Sequence, residues 1–328
     1  MDPRRRDLIA FTAALAGFAA SAAAQNASAL REVAWLSADA RLEALTTEPD
    51  LDRNALLAAA SAGKIGEQYD TVEDMRQDLL VGEFLFKTPL LLGGQAAKAG
   101  ISCNSCHVNG RDNPHFSFPA ISDAPGTADT THSFFSETLG NGIFDPVIIP
   151  NLTRDGKVSH DLDSRELERF IQTIVVEEFG GAMPQSGVIR PLSTFVRALR
   201  LSADEDSGSP ASRSITRDLA DVGAMAGLAA TLADDGRAVS SNLLLAGARD
   251  RMQIIHERLL PGRHEDERDW LVERSRALGE VQATLRRQRI VGAQLAQWQA
   301  EFAAAPDFAA IESESLYDPA VLAGLLAD

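Results

Sequence analysis

Ile101-Ser102-Cys103-Asn104-Ser105-Cys106-His107 holds both cysteines of this 328-residue chain, three positions apart, with a histidine directly after the second. Residues three apart on a helical turn share a face, so the two thiols point the same way. The next residue then sets an imidazole beside them. Cys-x-x-Cys-His is the pattern that attaches a porphyrin through two thiols and holds its iron by the histidine. The stretch therefore predicts one covalent haem c on Cys103 and Cys106, with His107 as an iron ligand. A zinc site would need about four ligands, and a thioredoxin-like pair would sit near a βαβ pattern. Neither context is present. A plain structural disulfide would use the same thiols but gives His107 no task.

Apolar walls are the next requirement of a macrocycle. Ten of the fourteen phenylalanines fall between Phe84 and Phe195, which places them around the motif. Each serves equally well as an ordinary core residue. For the opposite iron position the sequence offers Met183, in the loop Gly180-Gly181-Ala182-Met183-Pro184-Gln185. A thioether there would give Met/His ligation, an electron-transfer arrangement. His115 and His132 compete for the position, and His160 and Met75 stand in more polar surroundings. An open or water-bound iron is the remaining possibility, with Glu177 and Glu178 as acid/base groups.

The pattern further out is helical. Leu30, Val33, Trp35, Leu36, Leu42 and Leu45 give Ala29–Leu45 an amphipathic spacing that predicts a helix. From His107 to Asp163 the chain is rich in Gly, Pro, Asn and Asp with no sustained period, as expected of a long loop. Asp163 and Glu166 then make a capping-box-like start, and Leu167, Phe170, Ile171 and Ile174 share a face suited to wall a pocket. Residues 202–212 are small, acidic and breaker-rich, and predict a linker between a unit at 25–201 and a helical unit at 213–328. In the latter, Leu245, Ala248, Met252, Ile255 and Leu259 form one stripe. Leu271, Leu278, Val281 and Leu285 form another, interrupted by Arg274, and Val291, Leu295, Trp298 and Phe302 a third. Leu260-Pro261-Gly262 divides the first two as a turn, with His256 and His264 expected at the surface on either side. The fold class is all-α, closed by a helical hairpin or small bundle.

Several stretches resemble one haem domain of the bacterial di-haem cytochrome c peroxidases. They are Gly82-Glu83-Phe84-Leu85-Phe86 with Leu90-Leu91 before the motif, and Phe118-Pro119-Ala120-Ile121 followed by Thr127-Ala128 and His132. Arg165 to Phe170 and Leu192 to Leu199 are similar to the two closing helices of that domain. The resemblance spans Gly82 to Arg200 and implies a cytochrome c-like haem domain that passes electrons. That family reduces peroxide with two haems, whereas this chain has one Cys-x-x-Cys-His, so peroxide reduction is not carried over.

Arg4-Arg5-Arg6 followed by an apolar stretch from Leu8 to Ala24, ending in Ala22-Ala23-Ala24, reads as a secretory signal over residues 1–24 and predicts a periplasmic protein. Uncleaved, the same stretch would act as a membrane anchor. Its removal takes basic residues from 31 to 28 and acidic ones from 47 to 45, a net charge of about −17. That balance argues against nucleic acid or anionic lipid as a partner. It suits a basic redox protein. Three functions fit these observations: an electron carrier, a peroxidase-like enzyme with an open iron, and a sensor or assembly subunit that docks through its C-terminal helices.

Overall fold

The computed structural model describes residues 30–62, 69–154, 156, 158–159, 161, 164–201, 210–288 and 290–327. Residues 1–24, read as a signal, lie outside the described residues, as do His160, Asp163 and residues 202–209. The described chain is mostly helical, as predicted. In chain order the helices begin with α1 (Arg41–Thr46), α2 (Arg53–Ser61), α3 (Val72–Phe86), α4 (Gly94–Lys98) and α5 (Cys103–Cys106). They continue with α6 (Glu166–Thr173) and α7 (Ser186–Ala198). A C-terminal set follows: α8 (Ile215–Asp234), α9 (Ala238–Arg258), α10 (Glu265–Gln288), α11 (Gly292–Ala303), α12 (Phe308–Ile311) and α13 (Pro319–Leu326). β1 (Thr47–Pro49) pairs antiparallel with β4 (Pro210–Ser212), and β2 (Thr127–Ala128) with β3 (Val147–Ile148).

The stretch Ala29–Leu45 is not one helix. Short 3-10 turns at Arg31–Trp35 and Ala38–Ala40 precede α1, and Leu36 between them is extended. Ser117 N–H donates to the Trp35 carbonyl at 2.8 Å, and Ser37 N–H to that of His115 at 2.9 Å. These bonds replace helical ones and let adjacent Trp35 and Leu36 both be buried, which one helix face does not permit.

Thr71 caps α3 by accepting from Asp74 N–H, and Glu73 and Asp74 in the first turn suit the positive end of the helix dipole. α3 then crosses α7 at close range. A Cβ on Gly82 would lie 2.1 Å from the Pro191 carbonyl oxygen, so this crossing requires glycine. The same helix buries two acids, which persist there only because they are paired. Glu83 meets Arg53 at 2.6 Å and Lys87 at 2.8 Å. Asp78 meets Arg190 at 2.7 Å and Arg237 at 2.8 Å.

Pro191 stands inside α7 and has no N–H to give the carbonyl of Gly187, four residues earlier. That carbonyl instead accepts from Ser240 Oγ at 2.6 Å and Arg237 Nη2 at 3.1 Å, at the start of α9. The helix defect thus joins α7 to the C-terminal set. Farther along α9, Gly247 admits Thr88, whose Oγ1 would lie 2.4 Å from a Cβ there.

Leu245, Ala248, Met252 and Ile255 of α9 and Leu259 directly after it are all buried, as are Leu271, Leu278, Val281 and Leu285 of α10. Arg274, which interrupts the second stripe, ion-pairs with Glu301 of α11. His264 departs from its expected surface position: it is 2% exposed, and its Nδ1 accepts from Leu260 N–H at 3.2 Å, closing the turn. The N-terminal segment is clasped to these helices. Arg31 pairs with Asp250 at 2.6 Å and Glu32 with Arg258 at 2.7 Å, while Arg258 Nη1 donates to the Leu45 carbonyl at 2.8 Å. One apolar core runs from Leu30 to Leu322. Among the described residues no helix is long and apolar enough to cross a membrane.

Candidate cofactor site

α5 is a single turn braced by its own serines and asparagines. Ser102 N–H donates to Ser105 Oγ at 3.1 Å, and Asn109 N–H to Asn104 Oδ1 at 2.9 Å. Asn109 takes a left-handed backbone, φ 49°, which asparagine tolerates better than most residues, and its amide donates to the Pro49 carbonyl at 2.7 Å. Asn113 then ties the following loop back, donating its backbone N–H to the Cys106 carbonyl and its amide to that of Ser105. The turn is therefore held from both sides.

Cys103, Cys106 and His107 line one wall of a cavity of about 350 Å3. The volume lies in the usual range for small-molecule and cofactor sites, about 300–1,000 Å3. Opposite and around them stand Phe86 of α3, Leu167, Phe170 and Ile171 of α6, and Leu192 and Val196 of α7. Leu167, Phe170, Ile171 and Ile174, the face predicted to wall a pocket, all line it. A π-helical turn, Ile174–Glu178, extends α6 and adds Val175 and Glu178. The loop between α5 and α6 closes the cavity with Ala128, Val147, Ile149 and Pro150, from or next to the β2–β3 pair.

His107 Nδ1 lies 3.0 Å from the Pro150 carbonyl oxygen. A carbonyl only accepts, so the proton sits on Nδ1 and the Nε2 lone pair is left free to bind a metal. Burial pulls the imidazole pKa down to about 4, against the opposing pull of Pro150 and Asp112, and the ring is neutral near pH 7. Cys103 and Cys106 are free thiols, and burial pushes both up to about 12. They are protonated and poor nucleophiles when the fold is complete. Two thiols on one face, a neutral imidazole with its outer nitrogen free and an apolar wall fit a covalently bound haem. Three or more His, Cys, Asp or Glu side chains that would cage a bare metal ion do not converge anywhere among the described residues.

The other sequence-nominated residues scatter. Met183 is 62% exposed on its loop and does not line the cavity. His115 lies on the other side of α5, with Nε2 4.0 Å from Glu43. His132 accepts from Phe134 N–H at 3.2 Å and stacks edge-on against Phe144. Met75 is buried within α3. Of the ten clustered phenylalanines, Phe86, Phe170 and Phe179 line the cavity, while Phe84, Phe116 and Phe195 are core. Pro150 and the β2–β3 pair were not predicted. The apolar run Val147-Ile148-Ile149-Pro150 is the signal that marks them.

No family model, curated protein or solved structure matches this chain.

Proposed function

We propose that this protein is an exported monohaem c-type cytochrome that carries electrons, resembling one haem domain of the bacterial di-haem cytochrome c peroxidases. One observation carries the reading: both thiols and a neutral, oriented imidazole share one wall of an apolar cavity. Cys103 and Cys106 would hold the porphyrin covalently, and His107 Nε2 would bind its iron. The bound group would supply a ferrous/ferric couple whose potential the axial ligand and burial set. Pro150 keeps the imidazole in one tautomer and orientation, a role outer-shell partners commonly play for metal-bound histidines. The apolar walls exclude water from the couple.

A second reading, a peroxidase-like open iron, is favoured by the composition of the cavity. Among the described lining residues, His107 is the only histidine, methionine or lysine, and Glu178 the only carboxylate.

Co-expression with a haem-attachment system tests the first claim. The purified protein should carry haem that survives denaturation, and Cys103→Ala/Cys106→Ala should not. Covalent haem in the double variant would refute the site. Carbon monoxide added to the reduced protein separates the two readings: an unchanged spectrum assigns a closed six-coordinate electron carrier, a shifted one an accessible iron.

A further inference from the structure

The cavity mouth is ringed by apolar side chains that face solvent. Ile143, Phe144, Val147 and Ile148 are all exposed within six residues, Ile148 at 79%. Phe134 and Phe170 are exposed beside them. These residues belong to one surface: β3 pairs with β2, Phe144 packs on His132, and Ser136 Oγ donates to the Glu177 carbonyl at 2.5 Å. Val147 and Phe170 are at once exposed and part of the cavity lining. Whatever sits on this surface is one side chain from the cavity.

The loop part of the collar is acidic, while Arg165 and Arg169 are exposed near Phe170 on α6. Between Arg111 and Arg154 the chain carries Asp112, Asp123, Asp129, Glu137 and Asp145 and not a single lysine or arginine. Of these, Asp123, Glu137 and Asp145 are exposed, Asp129 is buried, and Asp112 lies with His115 on the other side of α5; Glu177 adds an exposed carboxylate beside Ser136. Large exposed apolar patches with polar rims mark interaction sites, and an acidic rim steers and orients a partner of opposite charge.

We infer that this collar is the docking surface for a basic redox protein, one whose own apolar contact patch is ringed by lysines. The inference rests on the electron-carrier reading and locates its partner. The apolar centre, Phe144 and Ile148 foremost, supplies affinity by burial. Glu137 and Asp145 supply encounter rate and its dependence on salt.

The test is a binding titration of the haem-loaded full chain against a lysine-rich mitochondrial-type cytochrome c, with the same probe after lysine acetylation as control. Binding should appear at low ionic strength, vanish in high salt and be absent for the acetylated probe. Phe144→Ser/Ile148→Ser should weaken it by about tenfold or more, since interface anchors cost over about 1 kcal/mol each when truncated. Glu137→Lys/Asp145→Lys should flatten its salt dependence. Both pairs are exposed, and circular dichroism checks that they fold. Equal binding by the serine variant, or none by the parent, overturns the inference. So does a dimer of the parent, seen by light scattering, that the serine variant abolishes, because the collar's occupant is then a second copy. Covalent haem is read by absorbance in the same samples. Binding without haem sinks the electron-carrier reading alone, and haem with variant-insensitive binding sinks the docking surface alone.

Discussion

Replacing Glu83 by glutamine removes a charge that two cations share. The side chain is 1% exposed, and its carboxylate sits between Arg53, at 2.6 Å, and Lys87, at 2.8 Å. Burial alone would raise its pKa; Lys87 and Arg53 outweigh burial and hold it at about 2, from an ordinary 4.5. A shift of that size amounts to about 3 kcal/mol of folding stability near neutral pH. The same figure falls in the range for breaking a buried pair, since Lys87, itself 9% exposed, loses its ion-pair partner. The sign follows from proton uptake. Below about pH 4.5 the unfolded chain takes up a proton that folded Glu83 refuses, so its contribution is complete above that value and is lost as pH falls towards about 2. Urea unfolding followed by far-ultraviolet circular dichroism, repeated from neutral pH down to about pH 2.5, measures both effects. Glu83→Gln should cost about 3 kcal/mol at neutral pH, and its acid slope should be shallower than the parent's. Some slope will remain, because Glu32 is also held at about 2, with burial outweighed by Arg258 and Arg213. A loss under about 1 kcal/mol, or parallel acid curves, would refute the reasoning.

Other substitutions probe the joints of the fold. Ser240→Ala leaves the Gly187 carbonyl with Arg237 alone and should lower stability by about 1 kcal/mol in the same urea assay. Gly82→Ala drives a methyl group into the Pro191 carbonyl and should cost at least about 1–3 kcal/mol, visible as a lower melting temperature. At Asn109 glycine and alanine both lose the bond to the Pro49 carbonyl, and alanine should cost about 1 kcal/mol more than glycine in the same assay, because only alanine resists the left-handed backbone. Pro150 orients His107 through its carbonyl rather than its ring, so Pro150→Ala should retain covalent haem; haem loss in that variant would tie the site to the proline ring instead.

How much of this was legible in the sequence depends on whether neighbours in the chain are neighbours in space. Cys103, Cys106 and His107 lie within one turn, and Leu167, Phe170, Ile171 and Ile174 within two, so spacing alone set their common face. The stripes of α9 and α10 were readable for the same reason. Ala29–Leu45 has helical spacing but is broken because a distant loop, residues 115–117, takes over its backbone bonds. α8 announces itself weakly, since its buried face includes Ala226, Ala229 and Ala233, which carry little hydrophobic signal. His264 looks like a surface residue beside a Pro-Gly turn, yet the turn folds over it. The role of Pro150 is invisible locally, because it is a carbonyl that any residue has, placed 43 positions from its partner.

The N-terminal clasp has a consequence for the order in which the molecule assembles. Every described wall of the cavity comes from residues between Phe86 and Val196, a run that is complete before α8 has been synthesised. Arg31 and Glu32 wait much longer, since Asp250 and Arg258 lie 219 and 226 positions away. Closing so long a loop is entropically costly and late. The thiols Cys103 and Cys106 therefore emerge, and their pocket can begin to gather, while the clasp is still open. Their reactivity belongs to that interval, because the finished fold half-buries both and raises their pKa to about 12.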